Sequence, residues 1–232
     1  MLTGTLRPVS SLTEGDKARM YDIMVRHYAG VDREVFLRDM SEKDGVILLL
    51  SEDGAIQGFS TYLFMRTAYQ GDPIAALFSG DTIIEKDSWG SPALFRAFGK
   101  LLYEFMTENR GAKTYWFLIT KGFRTYLLLP LFFRRFYPRH DAETPPYEKG
   151  LIEHLANLKY NGFFDSDRGI ITAASYYLKD DLAEIPAARL KDPHVAFFLR
   201  RNPGYVRGEE LACVCEISPE SFRKKTKSLV RP

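Results

Sequence analysis

One segment constrains this chain more than any other. Lys113-Thr-Tyr-Trp-Phe-Leu-Ile-Thr120 is apolar almost without interruption. A strand with one wet face alternates polar and apolar residues, whereas a run like this one belongs to a strand covered on both faces. Helices to cover it stand on either side in the sequence. Helical spacing predicts a helix from Thr13 to about Tyr28, with Met20, Ile23, Met24 and His27 on one face and Thr13 as its cap, Asp16 lying three residues on. A second, shorter helix follows Gly30, over residues 32–40. Pro92 fits the first turn of a long helix that runs to about Asn109 and stops at Gly111. Leu94, Phe98, Leu101, Leu102 and Phe105 share one face of it. The chain therefore reads as a single α/β domain.

Further strands surround that segment. Gly45 to Leu50 is a buried strand, Ser51-Glu-Asp-Gly54 a tight turn, and residues 55–66 the partner strand of a hairpin. Residues 73–84 follow the turn Gly71-Asp-Pro73 as a third strand. After Thr120 a helix is predicted over residues 123–137, with Pro130 kinking it or marking its start. The last third is less periodic. It suggests a helix from Pro145–Pro146 to about Tyr160, a strand over 169–178, a helix over 193–201, a strand over 211–217 and a last helix capped by Ser218. The expected division is a core over 1–140 and an extension over 141–232 packed on it, as an acceptor-side cover or a degenerate second half.

Composition excludes several classes. With a net charge of +2 the molecule is no general polyanion binder. Five basic residues (Arg223, Lys224, Lys225, Lys227, Arg231) face one acid, Glu220, after Pro219, which reads as a solvated C-terminal helix or a contact for an acidic surface. Cys213 and Cys215 share one face of a strand and imply neither a disulfide nor a metal. The N-terminus lacks a signal-peptide pattern, and the longest apolar run, Tyr126 to Phe133, is too short for a bilayer. The expected location is the cytoplasm. No G-x-S-x-G, phosphate loop, G-x-G-x-x-G, H-E-x-x-H or H-x-x-x-D occurs, and His27, His140, His154 and His194 are scattered.

The element order from Thr13 to Tyr137 (helix, helix, hairpin, strand, turn, helix, strand, helix) resembles the core of the GNAT N-acyltransferases. Val46-Ile-Leu-Leu-Leu50, Ser51-Glu-Asp-Gly54 and Ile56-Gln-Gly58 match the hairpin of that family, with Gly near the start of its second strand. Asp87-Ser-Trp-Gly-Ser-Pro-Ala93 stands where the family holds the cofactor pyrophosphate, in the pattern R/Q-x-x-G-x-G/A. Gly90 matches. Trp89 replaces the usual basic or amide residue, and Pro92 and Leu94 replace later small ones. Backbone N–H groups and a helix dipole favour a phosphate at such a place.

The resemblance implies a mixed, mostly antiparallel central sheet flanked by helices, and acyl-CoA as co-substrate without a metal. It makes Ser79, Gly80, Trp89, Gly90, Ser91 and Ala93 the cofactor-binding candidates. Gly80 is a candidate bulge residue whose strand would present a backbone N–H to the thioester carbonyl. Asp81 and Glu85 are the nearest candidate bases. Tyr126 is the candidate acid on the helix after the splayed strand, and Tyr137 the second choice.

Thr125-Tyr-Leu-Leu-Leu-Pro-Leu-Phe-Phe133, with Phe95, Phe98, Phe105, Phe117, Phe132 and Phe133, would suit a medium or long acyl chain; the alternative is an ordinary Phe-rich core. Asp165, Asp167, Asp180 and Asp181 would attract a cationic amine, such as a lysine or ornithine side chain of a peptide or small molecule. Arg134, Arg135 and Arg139 would suit an acyl-carrier donor. The alternative is a non-catalytic module of the same fold that binds a lipid or a partner protein. Binding of nucleic acid through the basic tail is not expected.

Overall fold

The computed structural model describes residues 2–173 and 175–230; the side chains of Asp180, Asp181 and Lys225 lie outside that description. Ten strands and nine α-helices lie along these described residues. In order they are β1 (Thr3–Pro8), α1 (Glu14–His27), β2 (Tyr28–Ala29), α2 (Arg33–Ser41), β3 (Gly45–Leu50), β4 (Ile56–Tyr69), β5 (Asp72–Ile84) and α3 (Ala93–Glu108). Then come β6 (Lys113–Thr120), α4 (Phe123–Tyr126), α5 (Leu128–Phe132), α6 (Pro146–Tyr160), β7 (Phe164–Asp165), β8 (Ile170–Ile171) and β9 (Tyr177–Leu178). The chain closes with α7 (Asp180–Ala183), α8 (Pro193–Arg201), β10 (Glu210–Glu216) and α9 (Lys224–Lys227).

Eight strands form one mixed sheet in the order β1-β3-β4-β5-β6-β10-β8-β7. Every neighbouring pair is antiparallel except β5 with β6. The apolar strand β6 sits inside this sheet, and from Thr114 to Thr120 it is buried throughout. Its alternate residues serve two cores. Trp116 and Leu118 pack with α3, α4, α5 and α8 on one face, and Tyr115, Phe117 and Ile119 pack with α6 on the other. Farther along that second face, α1 and α2 cover β3, β4 and the end of β5 through Met20, Ile23, Met24, Phe36 and Met40.

Local chemistry explains most element ends. Thr13 and Asp16 form a reciprocal capping box on α1, and Asp32 caps α2 through the Val35 N–H. The helix expected over 123–137 breaks instead. Pro130 offers no N–H to the Tyr126 carbonyl, so α4 and α5 are separate short helices. From Phe133 the backbone turns to other partners: Arg134 donates to the Ser221 carbonyl, and Tyr137 exchanges both bonds with Val214. The strand expected over 169–178 is also two pieces. β8 adds to the large sheet, whereas β9 pairs with β2. Ser218 braces a turn with Ser221, and the last helix begins only at Lys224. Strand β1 had no clear pattern in the sequence. Gly4 lets it lie against α3, since a Cβ there would stand 2.6 Å from the Ala93 carbonyl oxygen.

Three strands after residue 141, β7, β8 and β10, are built into the large sheet. β10 pairs with β6 along Leu211–Glu216, and α6 covers them both. Cys213 and Cys215 are free thiols buried on one face of β10. Among the described residues, no helix is long and apolar enough to cross a membrane.

Candidate active site

Strands β5 and β6 run parallel and paired from Ile74–Lys113 to Ser79–Leu118, and then part. Two facts drive them apart. On one side β6 continues into register with β10, Thr120 pairing with Leu211. On the other, β5 carries a bulge against β4: Tyr62 faces Ser79 and Ser60 faces Thr82, so Gly80 and Asp81 together oppose Thr61. An extra residue bends a strand and re-aims its side chains. Only glycine fits the first position, because a Cβ on Gly80 would lie 2.5 Å from Thr61 Oγ1 and 3.1 Å from Lys43 Cε.

The gap opens into a cavity of about 770 Å³. Gly80 to Ile84 form one wall and Ile119 to Leu128 contribute much of the other. At one end stand Trp89, Gly90, Leu94 and Phe95, where α3 begins. Gly90 has φ +86° with open space where a side chain would be. The capping residue, Pro92, has no side-chain bond to the first turn of α3; the Ala93 N–H is taken by Ser91 Oγ, which leaves those of Leu94 and Phe95 with donor capacity. Arg124 and Arg189 also line the cavity.

A cluster of buried charge lies deeper. Lys121 follows β6 directly and Glu210 opens β10, so the antiparallel register sets them opposite each other. Their Nζ and Oε1 are 3.6 Å apart. The Lys121 ammonium lies 3.6 Å from the centre of the Tyr176 ring and 5.6 Å from that of Tyr28. The Tyr176 hydroxyl donates to Asp81 Oδ1 at 2.7 Å. Lys43, a second buried lysine, donates to Asp39 Oδ1 at 2.6 Å.

Burial raises the Asp81 carboxyl above its ordinary value, and nearby Asp39 adds to this; the Tyr176 hydrogen bond, Lys121 and Lys43 pull the other way. Glu210 is likewise raised by burial, against Lys121 and with Asp81. Burial keeps the hydroxyls of Tyr28 and Tyr176 protonated. The result is a pair of carboxylates with enhanced proton affinity beside protonated phenols, which is equipment for moving protons.

The sequence candidates divide. Asp81, Gly80, Trp89 and Gly90 all line the cavity. Trp89 is pinned, its indole N–H donating to the Ile84 carbonyl at 2.8 Å and its ring facing Arg124. Ser91 and Ala93 flank the lining without joining it; the Ala93 N–H donates to Ser91 Oγ. The Ser79 side chain is absent from the lining and accepts from the Trp116 indole. Glu85 stands outside the lining, held by Arg19 at 3.1 Å and Arg26 at 2.8 Å.

Tyr126 is fully buried among Phe136, Phe197 and Phe198. Its hydroxyl donates to the Pro138 carbonyl, so it does not face the cavity; α4 turns Thr125 and Leu127 that way instead. Tyr137 packs under α6. Phe95 reaches the cavity, while Phe105, Phe117 and Phe133 are core. Asp165 is bound to Arg168, and the side chains of Asp180 and Asp181 lie outside the described residues. Arg139 is committed to Asp141, whose carboxyl it pulls down to about 2.

Lys121, Glu210, Tyr176, Tyr28 and Lys43 were not anticipated. A signal existed for two of them. Lys121 and Glu210 each abut a buried apolar strand, and a charge at such a strand end needs a partner. Nothing in the sequence marks Tyr176. No group of acids, histidines and cysteines suited to a metal occurs among the described residues.

No family model matches the chain, and no curated protein matches it. Among solved structures it is similar to a conserved protein of Enterococcus faecalis V583 described as a probable N-acyltransferase, with 11% identity, a TM-score of 0.42, and coverage of 58% of this chain and 33% of that one. It is also similar to an acetyltransferase of Trypanosoma brucei, at 14% identity, TM-score 0.40, and 61% and 97% coverage. A third is the GNAT family N-acetyltransferase YhbS of Escherichia coli, solved in complex with CoA, at 12% identity, TM-score 0.39, and 57% and 69% coverage. The chain thus spans a third of the Enterococcus protein, and each likeness covers little more than half of this chain.

Proposed function

We propose that this protein is an N-acyltransferase that moves an acyl group from a thioester, acyl-CoA or an acyl-carrier thioester, to an amine. One observation carries the reading: the bulged end of β5 parts from β6 beside the start of α3, with a buried carboxylate and phenol cluster in the gap. Amine acylation needs a neutral amine, a polarised carbonyl and a proton for the departing thiolate. Asp81, with Glu210 behind it, takes the proton from an incoming ammonium. A backbone N–H at the Gly80 bulge holds the developing oxyanion. Tyr176, hydrogen-bonded to Asp81, supplies a hydroxyl proton to the thiolate in place of Tyr126.

The residues at the α3 end fit a pyrophosphate. Trp89, Gly90 and Ser91 precede a helix of 16 residues that starts at Ala93 and presents the N–H groups of Leu94 and Phe95, and Arg124 and Arg189 line the same cavity. Leu94, Phe95, Phe123, Leu127 and Leu128 give the cavity an apolar side, which supports a medium or long acyl chain at about 0.8 kcal/mol per buried methylene. The carboxylates support a cationic acceptor such as a lysine or ornithine side chain. In this reading Glu85 fixes α1 to the end of β5 and takes no part in proton transfer.

The test is thiol release from CoA thioesters graded from acetyl to palmitoyl, with a pool of amines and lysine peptides as acceptors. Acyl-dependent release with a mass-shifted amine is expected, strongest for the longer chains. Retention of a lipid or thioester without any turnover would instead identify a binding module.

A further inference from the structure

Two lysines face the cavity, and they are held in opposite ways. Lys43 is firmly held: its ammonium donates to Asp39 Oδ1 at 2.6 Å and to the Asp39 carbonyl at 3.2 Å. Lys121 is equally buried, 5% exposed, yet has no comparable bond. Glu210 Oε1 is 3.6 Å away, the Tyr176 carbonyl 3.5 Å, and the closest support is the face of the Tyr176 ring. Aromatic faces and loosely set carboxylates make a receptacle for an ammonium ion. Lys121 therefore occupies the kind of site that an acceptor amine needs, and it does so across the gap from the Gly80–Asp81 bulge.

We infer that Lys121 is itself an acyl acceptor, so that the protein acylates its own cavity at this side chain. The inference rests on the acyl-transfer reading above. The step balances without another reagent. One proton leaves the Lys121 ammonium for Asp81 or Glu210. The free amine attacks the thioester carbonyl carbon, a C–N bond forms and the C–S bond breaks. The second amine proton goes to the departing thiolate, leaving an amide on Lys121 and a free thiol. The amide has no positive charge, so the modified cavity loses the ammonium that offsets Glu210 and one of the two that offset Asp81. It also has its acceptor place filled. Self-acylation at Lys121 thus closes the cavity to amines from outside.

The experiment incubates the full chain with acetyl-CoA or octanoyl-CoA, without added amine, and maps acylated lysines by peptide mass spectrometry. Lys121 is expected to carry the acyl group at an occupancy at least about tenfold above any surface lysine, since its amine is already held beside the carbonyl site. Lys43 stays unmodified, and Lys121→Arg removes the main mass shift. Acylation spread over surface lysines, or at Lys43 in preference to Lys121, overturns the inference. So does an unmodified Lys121 in a protein that acylates added amines, an outcome that leaves the acyltransferase reading standing. Absence of thiol release from every thioester tried, with or without an added amine, would remove both.

Discussion

Strands β5 and β6 can be compared with themselves. From Ile74 to Ser79, β5 is bonded to β6 on one side and β4 on the other, and its side chains are buried apolar groups apart from Ser79. From Gly80 to Ile84 the same strand has lost β6, is bulged against β4, and carries Asp81 into a cavity. Strand β6 shows the same change between Leu118 and Lys121. Six paired positions supply rigidity, and the few residues beyond them use it to hold polar groups where water is scarce. Stability and the proposed chemistry are thus adjacent on one strand and rest on different bonds.

Substitutions can break that contrast. Phe117→Ala, in the paired half, empties a fully buried site between α6 and the sheet. It should cost about 3–5 kcal/mol, read as a shifted midpoint in urea, and a shift below 1 kcal/mol would mean that this half is not the stabilising one. Asp81→Asn, in the parted half, should lower acyl transfer about a hundredfold, the low end for a general base. Its stability should move the other way. Asp81 binds its proton more tightly folded than unfolded, so wild-type stability is full below the unfolded value near pH ~4 and declines as pH rises through the folded one. The Asn variant lacks that decline, so it should gain on wild type as pH rises above about 4. Parallel pH curves for the two proteins would contradict the assignment.

Gly80→Ala tests the boundary itself. Its Cβ meets Thr61 and Lys43, so about 1–3 kcal/mol of strain is expected, with activity falling more than folding does. An unimpaired enzyme would show that the bulge positions nothing. Tyr176→Phe is gentler. The hydrogen bond it deletes lowers the Asp81 carboxyl, so the acid limb of the rate profile should move to higher pH with a several-fold loss of rate. A limb that moves to lower pH would detach Tyr176 from Asp81. Glu85→Gln should have the smallest effect, about 1 kcal/mol or less from its partly exposed ion pairs, with turnover near wild type. A hundredfold loss of rate there would return Glu85 to the proton path.

The contrast also marks what the sequence could reveal. Regular elements were legible because each follows a short-range rule: the capping box of α1, the proline start and glycine-side end of α3, and the apolar run of β6. Gly80 and Asp81 were legible because a glycine followed by a charge interrupts an apolar strand. Lys121 and Glu210 are 89 residues apart in the chain, and only the pairing of β6 with β10 joins them. Tyr176 lies in an irregular segment fastened by the two-residue pair β2–β9, for which no periodicity exists. Tyr126 misled for a related reason. The Pro130 break separates α4 from α5 and sets the tyrosine ring among the phenylalanines of the core, one residue away from the side chains that face the cavity.

The lateral position of β10 has a consequence for how the chain must be made. Until residues 210–216 arrive, the far side of β6 is a free strand edge, and the segment it offers is Lys-Thr-Tyr-Trp-Phe-Leu-Ile-Thr. An aromatic, β-prone edge of that length, charged only at its first residue, is a template for association with other chains. The strand that brings Glu210 to the cavity is therefore also the one that shields β6. A chain cut short before it should be found in the insoluble fraction before it is found inactive.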